Sequence, residues 1–274
     1  MKGLAVFLDA LAILVAGGIG AIIHERMPAM MRKILLQVVG MAAILMGAFC
    51  AWDAFFVLDG ETLEMSDSLV VVMSLAIGTG MGVLFELQSG LGWVGRRLER
   101  IMDPDDPKAK NARRRKSATV KEDGLLLDVQ GGSPFADGFI VACVLCAVNS
   151  WAFTGAIANV TTGDSKLLYI KAGLDAALVL VLGMVYGVGV VFSALASLVV
   201  QGIVIIVGLI KPEAFTEALT DQFALVAAII MIVAGVGLCV GKRMRAANMI
   251  PSLIIPPVWI VILNEVTKYL ETAE

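Results

Sequence analysis

Apolar runs of about 20 residues, parted by short polar breaks, recur along the whole chain. A run of that length crosses a hydrocarbon core about 30 Å thick as a helix. The pattern predicts spans at about Leu4–Ile23, Ile34–Trp52, Ser68–Leu87, Phe139–Ala158, Leu168–Phe192, Ala194–Ile210, Phe223–Val240 and Ile250–Val266. The fifth and sixth meet without a charged loop, and Ser193, Ala194, Ala196 and Ser197 mark the turn between them. The expected fold is all-α, a polytopic transmembrane bundle of about eight helices forming one membrane domain. Residues 1–87 carry the first three spans, 88–137 a basic loop and 138–274 the other five.

Four of these runs contain a Gly-x-Gly step, at Gly18/Gly20, Gly80/Gly82, Gly187/Gly189 and Gly235/Gly237. Glycine is costly in a helix in water but common where membrane helices pack closely. Helix packing is therefore the role expected of all eight. The steps fall in odd-numbered spans, which is compatible with a two-helix hairpin repeated four times. Val15-Ala16-Gly17 beside Val233-Ala234-Gly235, then Arg26-Met27 beside Arg243-Met244, give the best internal match.

Composition supports a membrane setting. The chain is 59% hydrophobic and 16% charged, with a mean hydropathy of +0.89. A soluble domain has about 45–50% apolar and about 25% charged residues, so one buried core cannot account for this excess. Met1-Lys2 and the run after it could imitate a secretory signal, but Asp9 and the lack of a cleavage site argue for a first span.

Charge placement sets an orientation. With eight spans, the loops after spans one, three, five and seven hold 16 of the 21 Lys and Arg. Lys2, Lys166, Lys171, Lys211 and Lys268 fall on the other side. The positive-inside rule puts the basic loops in the cytoplasm and both termini outside. The acidic stretch Asp53, Asp59, Glu61, Glu64 and Asp67 suits an outer loop. Merging spans five and six would send Lys242, Arg243 and Arg245 outside, against the rule.

The basic loop opens with Leu91, Val94, Leu98 and Ile101 at helical spacing, with Arg96, Arg97 and Arg100 between them. That pattern predicts an amphipathic interfacial helix, its arginines toward anionic lipid and Trp93 at headgroup level. Asp103-Pro104-Asp105-Asp106-Pro107 ends it. Arg113-Arg114-Arg115-Lys116 reads as a topology determinant and not as a nucleic-acid site.

Polar side chains inside the bilayer are expensive and are functional candidates by default. Asp9 and Asp175 lie at similar depth if their Gly-x-Gly steps align, and two such carboxylates could hold a cation or share a proton. The bland alternative pairs Asp175 with Lys171, one turn away. Asn149 and Ser150 sit at the middle of span four, and Gln201 lies within span six. These face other helices or a cavity. Asn248 opens span eight, where Pro256-Pro257 either kinks the helix or frees carbonyls for a site. Cys143 and Cys146 have a redox or metal spacing, but lie in an apolar run far from His24, the one histidine. The sequon Asn159-Val160-Thr161 falls on the outer side. No nucleophile–base set, Walker loop or dinucleotide motif is apparent, so no enzyme activity, metal or cofactor is expected.

At this level the chain resembles the YqgA-like family of bacterial membrane proteins, a family of unknown function. The matching residues are Phe139 to Gly155-Ala156, Gly163-Asp164, Leu167-Leu168, Lys171-Ala172, Asp175, Gly187 to Ala194, Gln201-Gly202 and Ala247 to Pro251. Asn149-Ser150 stands where the family has Gly-Ala, Asp9 where Asn is frequent and Ala196 where proline is usual. The resemblance implies a bacterial inner-membrane protein, often described as a candidate transporter, with no activity to carry over. The expected function is a transporter or channel for a small solute or ion. Its pathway would be lined by Asn149, Ser150, Asp175 and Gln201, with Asp9 and Asn248 as additions. Protons or Na⁺ would couple through Asp175. The alternatives are a non-transporting scaffold or accessory subunit and, third, a membrane enzyme using Cys143/Cys146. A homo-oligomer is compatible with either of the first two.

Overall fold

The computed structural model describes residues 3–59, 62–65, 68–102, 133–212, 215–241, 245–260 and 262. The Asp103–Pro107 stop, the Arg113–Lys116 cluster, Arg243-Met244 and the end of the last predicted span lie outside the described residues.

The first two helices are α1 (Leu4–His24) and α2 (Ala29–Phe55). The acidic stretch that follows contains a short antiparallel hairpin, Phe56–Asp59 with Thr62–Met65. Next come α3 (Ser68–Leu84) and α4 (Leu87–Met102), bent by 54° at a break where Glu86 has φ 49°. The predicted third span therefore stops at Leu84, and the amphipathic helix starts at Leu87. The fourth span is α5 (Pro134–Ala142), a π-helical segment (Cys143–Ala147) and α6 (Ser150–Thr161). Then follow α7 (Lys166–Tyr186), a 3₁₀ turn (Val188–Phe192), α8 (Ser193–Ile210) and α9 (Glu217–Val240). A 3₁₀ helix over Ala246–Ile254 runs on as α-helix through 255–260. Pro256 and Pro257 occupy the first turn of that helix, where no backbone N–H is needed. They break no span.

Among the described residues five helices are long and apolar enough to cross a membrane, or seven if each bent pair counts as one span. The shorter apolar helix Ala246–Ile260 brings the segments to about eight. The protein is an all-helical membrane bundle apart from the small hairpin. Large apolar side chains such as Phe7, Ile22, Leu45, Trp52, Ile206 and Ile210 point outward, as lipid requires. Ile13, Leu145, Val179, Leu182 and Met231 fill the centre.

Helices distant in sequence pack closest. In α1 and α7, Gly20 meets Gly183 at their closest approach, and Asp9 pairs with Lys171 while His24 Nδ1 meets the Met184 carbonyl, so the two run parallel. In α2 and α9, Gly40 meets Gly235 while Gly47 meets Ala228 and Ile232, an antiparallel pair. Gly78 and Gly82 of α3 lie against Ser252 and Asn248, also antiparallel. These directions are those that eight alternating spans require.

The glycine expectation holds by halves. Residues two apart on a helix point about 200° apart, so both members of a Gly-x-Gly step cannot face one neighbour. A Cβ on Gly18 or Gly80 would meet nothing within 4 Å, whereas one on Gly20 or Gly82 would strike backbone. Gly235 packs on α2, and Gly237 is buried on α9. The third step is not helical packing. Gly187, with φ 80°, ends α7, and Gly189 lies against the Phe135 carbonyl. The turn between spans five and six thus falls at Gly187, not at Ser193.

Candidate functional site

The fourth span opens with a cap: Ser133 Oγ accepts from Ala136 N–H at 3.2 Å, with Pro134 in the first turn. Its interruption centres on Asn149, whose backbone is extended at φ −81°, ψ 157°. The two halves meet at 45°. A break inside a bilayer leaves carbonyls before it and N–H groups after it without partners. The Asn149 amide serves both. Its Oδ1 accepts from Ala152 N–H at 2.8 Å, capping α6. Its Nδ2 donates to Leu145 O at 3.1 Å and to Cys146 O at 3.4 Å. The same nitrogen lies 3.4 Å from Asp175 Oδ1.

Asp175 belongs to a buried ionic set. Lys171 and Asp175 share one face of α7, four residues apart. The Lys171 Nζ donates to Asp175 Oδ2 at 2.5 Å and to Asp9 Oδ2, on α1, at 2.6 Å. Its third proton is directed at Ser197 Oγ of α8, 3.4 Å away. All three donors of the ammonium are thereby used. Asp9 Oδ2 also accepts from Ser197 Oγ at 2.9 Å and from Gln201 Nε2 at 2.7 Å. Gln201 Nε2 donates in addition to Ser197 Oγ, at 2.7 Å. Asp9, Asp175, Ser197 and Gln201 are 0% exposed and Lys171 is 1% exposed. With every group ionised, the set carries one net negative charge.

A small cavity, about 10 Å³ in volume, opens beside this set. Its lining includes Asn149, Ser150 and Trp151 at the break, Lys171 and Asp175 on α7, and Cys50 on α2. That volume is about what a single water centre occupies.

The structure brings Asn149, Asp175, Asp9 and Gln201 into one network, and Ser150 to its cavity edge. The expected Lys171–Asp175 pair is present, but Lys171 is fully buried and also pairs with Asp9. Ser197, taken as a turn marker, donates to Asp9. Asn248 is not part of this site: its Oδ1 accepts from Gln88 N–H at 2.8 Å, holding the start of α4. Asn159 is 1% exposed and its side chain joins Gly3 N–H and Ser165 Oγ, so the sequon is structural. Cys143 and Cys146 are free, buried thiols in the π segment.

The amphipathic helix α4 is a two-sided element. Leu91 and Leu98 pack into the core, and Gly95 lies against Ala136 of α5. Ser133 Oγ donates to Glu99 at 2.7 Å. Arg97, Arg100, Trp93 and Ile101 are exposed on the other side, and Arg96 is half-buried.

Comparison with known proteins places residues 4–261 within the family described as "Protein of unknown function (DUF554)". Among similar proteins is the "Uncharacterized membrane protein YdfK" of Bacillus subtilis (strain 168). It is 22% identical over 255 residues, 92% of this chain and 93% of that one. The "Uncharacterized protein YqgA" of Escherichia coli (strain K12) is 19% identical over 249 residues, 91% and 92% of the two chains. No solved structure matches.

Proposed function

The chain belongs to the DUF554 family of proteins of unknown function, and from its buried site we propose a transporter or channel for a small solute or ion. One observation carries this reading. A net-negative Asp9–Lys171–Asp175 set, inside the bundle, is joined through Asn149 to a span broken at mid-length. Charge at membrane depth is costly and marks substrate or ion paths. Discontinuous helices are a common way to build such sites, because their ends supply polar groups within the bilayer. Asn149, Ser150 and Asp175 form the edge open to the cavity, Gln201 and Asp9 the closed side. A bound cation or a proton brings the set to neutrality.

The same reading sets the protein in the bacterial inner membrane, with Lys/Arg-rich loops in the cytoplasm and both termini outside. In that orientation α4 lies at the inner headgroup layer. Trp93 sits among the headgroups, and Arg96, Arg97 and Arg100 meet anionic lipid.

The test is a screen in proteoliposomes on a solid-supported membrane, with jumps of H⁺, Na⁺, K⁺ and small polar solutes. Asp175→Asn and Asn149→Ala are expected to abolish the wild-type current. Equal currents in both variants would overturn the site assignment. A scaffold remains the second reading, favoured by the narrowness of the cavity and the full use of the Lys171 donors. It predicts no current with any solute.

A further inference from the structure

The two carboxylates of the set are not equivalent. Both oxygens of Asp175 have donors, Lys171 on Oδ2 and Asn149 on Oδ1. Asp9 crowds three donors onto Oδ2, from Lys171, Ser197 and Gln201. Its Oδ1 is buried without any hydrogen-bond partner. The Gln201 side chain repeats the pattern: its amide nitrogen donates twice, while Oε1 is buried and unpartnered. A buried acceptor with no donor costs about 1–3 kcal/mol. Two of them, on side chains already bonded to each other in a set of net negative charge, call for a positive species of small volume. The cavity lies against Asp175 and not against Asp9. A proton meets those conditions.

Resting on the transport reading, we infer that the coupling proton binds at Asp9 Oδ1, with Asp175 left as the ionised partner at the cavity. On binding, a hydronium ion gives up its proton, the Oδ1–H bond forms and water leaves; the set passes from one negative charge to neutral. Lys171 then answers electrostatically to Asp175 alone. Loss of the proton to water returns the ammonium to both carboxylates. Lys171 thus couples the occupancy of Asp9 to the charge felt at the cavity edge. The titratable groups around Asp9 are Lys171 and Asp175 on α7 and the Cys146 thiol on the π segment. On α8 it faces only the neutral Ser197 and Gln201, and α6 packs on α1 with apolar side chains.

Infrared difference spectra of the full-length protein in lipid, between acidic and alkaline buffer, test this. No solute is needed, so a failed transport screen leaves the result independent. A protonated-carboxyl C=O band is expected in wild type, its loss in Asp9→Asn, and an unmoved band in Asn149→Ala, which takes a donor from Asp175 Oδ1 and none from Asp9. Ser197→Ala removes a donor to Asp9 Oδ2 and is expected to move the band; it gives a second readout if Asp9→Asn fails to fold. Absence of the band in wild type, a band moved in Asn149→Ala, or a band unmoved in Ser197→Ala would overturn the assignment.

Discussion

Lys171→Met deletes the ammonium but keeps most of the apolar stem. Lys171 Nζ lies 2.6 Å from Asp9 and 2.5 Å from Asp175. With an effective dielectric near 20, each contact has a gross Coulomb energy of about 6 kcal/mol. Desolvation of three ions offsets much of that, so the intact set is expected near break-even. Removing one partner is different, because it abandons two buried carboxylates; a loss of about 3–5 kcal/mol follows. Protonating one carboxylate relieves the variant, at about 4 kcal/mol at pH 7 from a reference near 3.9. The sign of the pH dependence follows. The folded variant then holds a proton that the unfolded chain releases, so its deficit grows with rising pH by about 1.4 kcal/mol per unit. It shrinks as pH falls toward the ordinary carboxylate range. Cys143 and Cys146 are buried and free, so in a background without Cys50 and Cys239 a thiol-reactive fluorophore reports unfolding in mild detergent. Lys171→Met should melt roughly 10 °C below wild type near pH 7 and closer to it in acid. Asp9→Asn/Lys171→Met/Asp175→Asn should recover most of the loss. A variant that melts with wild type at both pH values, or a triple variant no better than the single one, would refute the reasoning.

Four further outcomes are expected. Gly82→Ala should lose about 1–3 kcal/mol, read as a lower melting temperature, because its methyl meets the Asn248 carbonyl. Gly80→Ala, which meets nothing, should be neutral or stabilised by up to about 1 kcal/mol. Asn149→Ala removes the cap of α6 and the bonds to Leu145 and Cys146, so a loss of about 2 kcal/mol should appear in the same melt. Arg97→Ala/Arg100→Ala should reduce the anionic lipid retained in native mass spectra, at about 1 kcal/mol per arginine.

The spans were legible because a 20-residue apolar run has few other fates, and because basic loops alternate with acidic or neutral ones. The helix over Leu87–Met102 was legible from its period. The broken fourth span was not. Cys143–Ala147 is uniformly apolar and reads as plain helix; the signal is Asn149-Ser150, which fits helix–helix bonding or a cavity lining as well as a cap. Lys171 was placed at the outer side because the rule for loops counts charges by position along the chain. Its pairing with Asp175 was legible from the one-turn spacing, but its burial depends on Asp9, 162 residues away, which no local pattern records. Asn248 lies away from this set because its partner is the Gln88 N–H at the start of α4, just after a break that the hydropathy placed three residues late.

The account rests on water reaching the edge formed by Asn149, Ser150 and Asp175. The direct measurement is labelling of Ser150→Cys, in a background without other cysteines, by a small charged methanethiosulfonate in intact membranes. The account predicts modification, slowed by Lys171→Met if that variant collapses the set. A Ser150→Cys thiol that stays inert in the membrane, while becoming reactive once the protein is denatured, would contradict it.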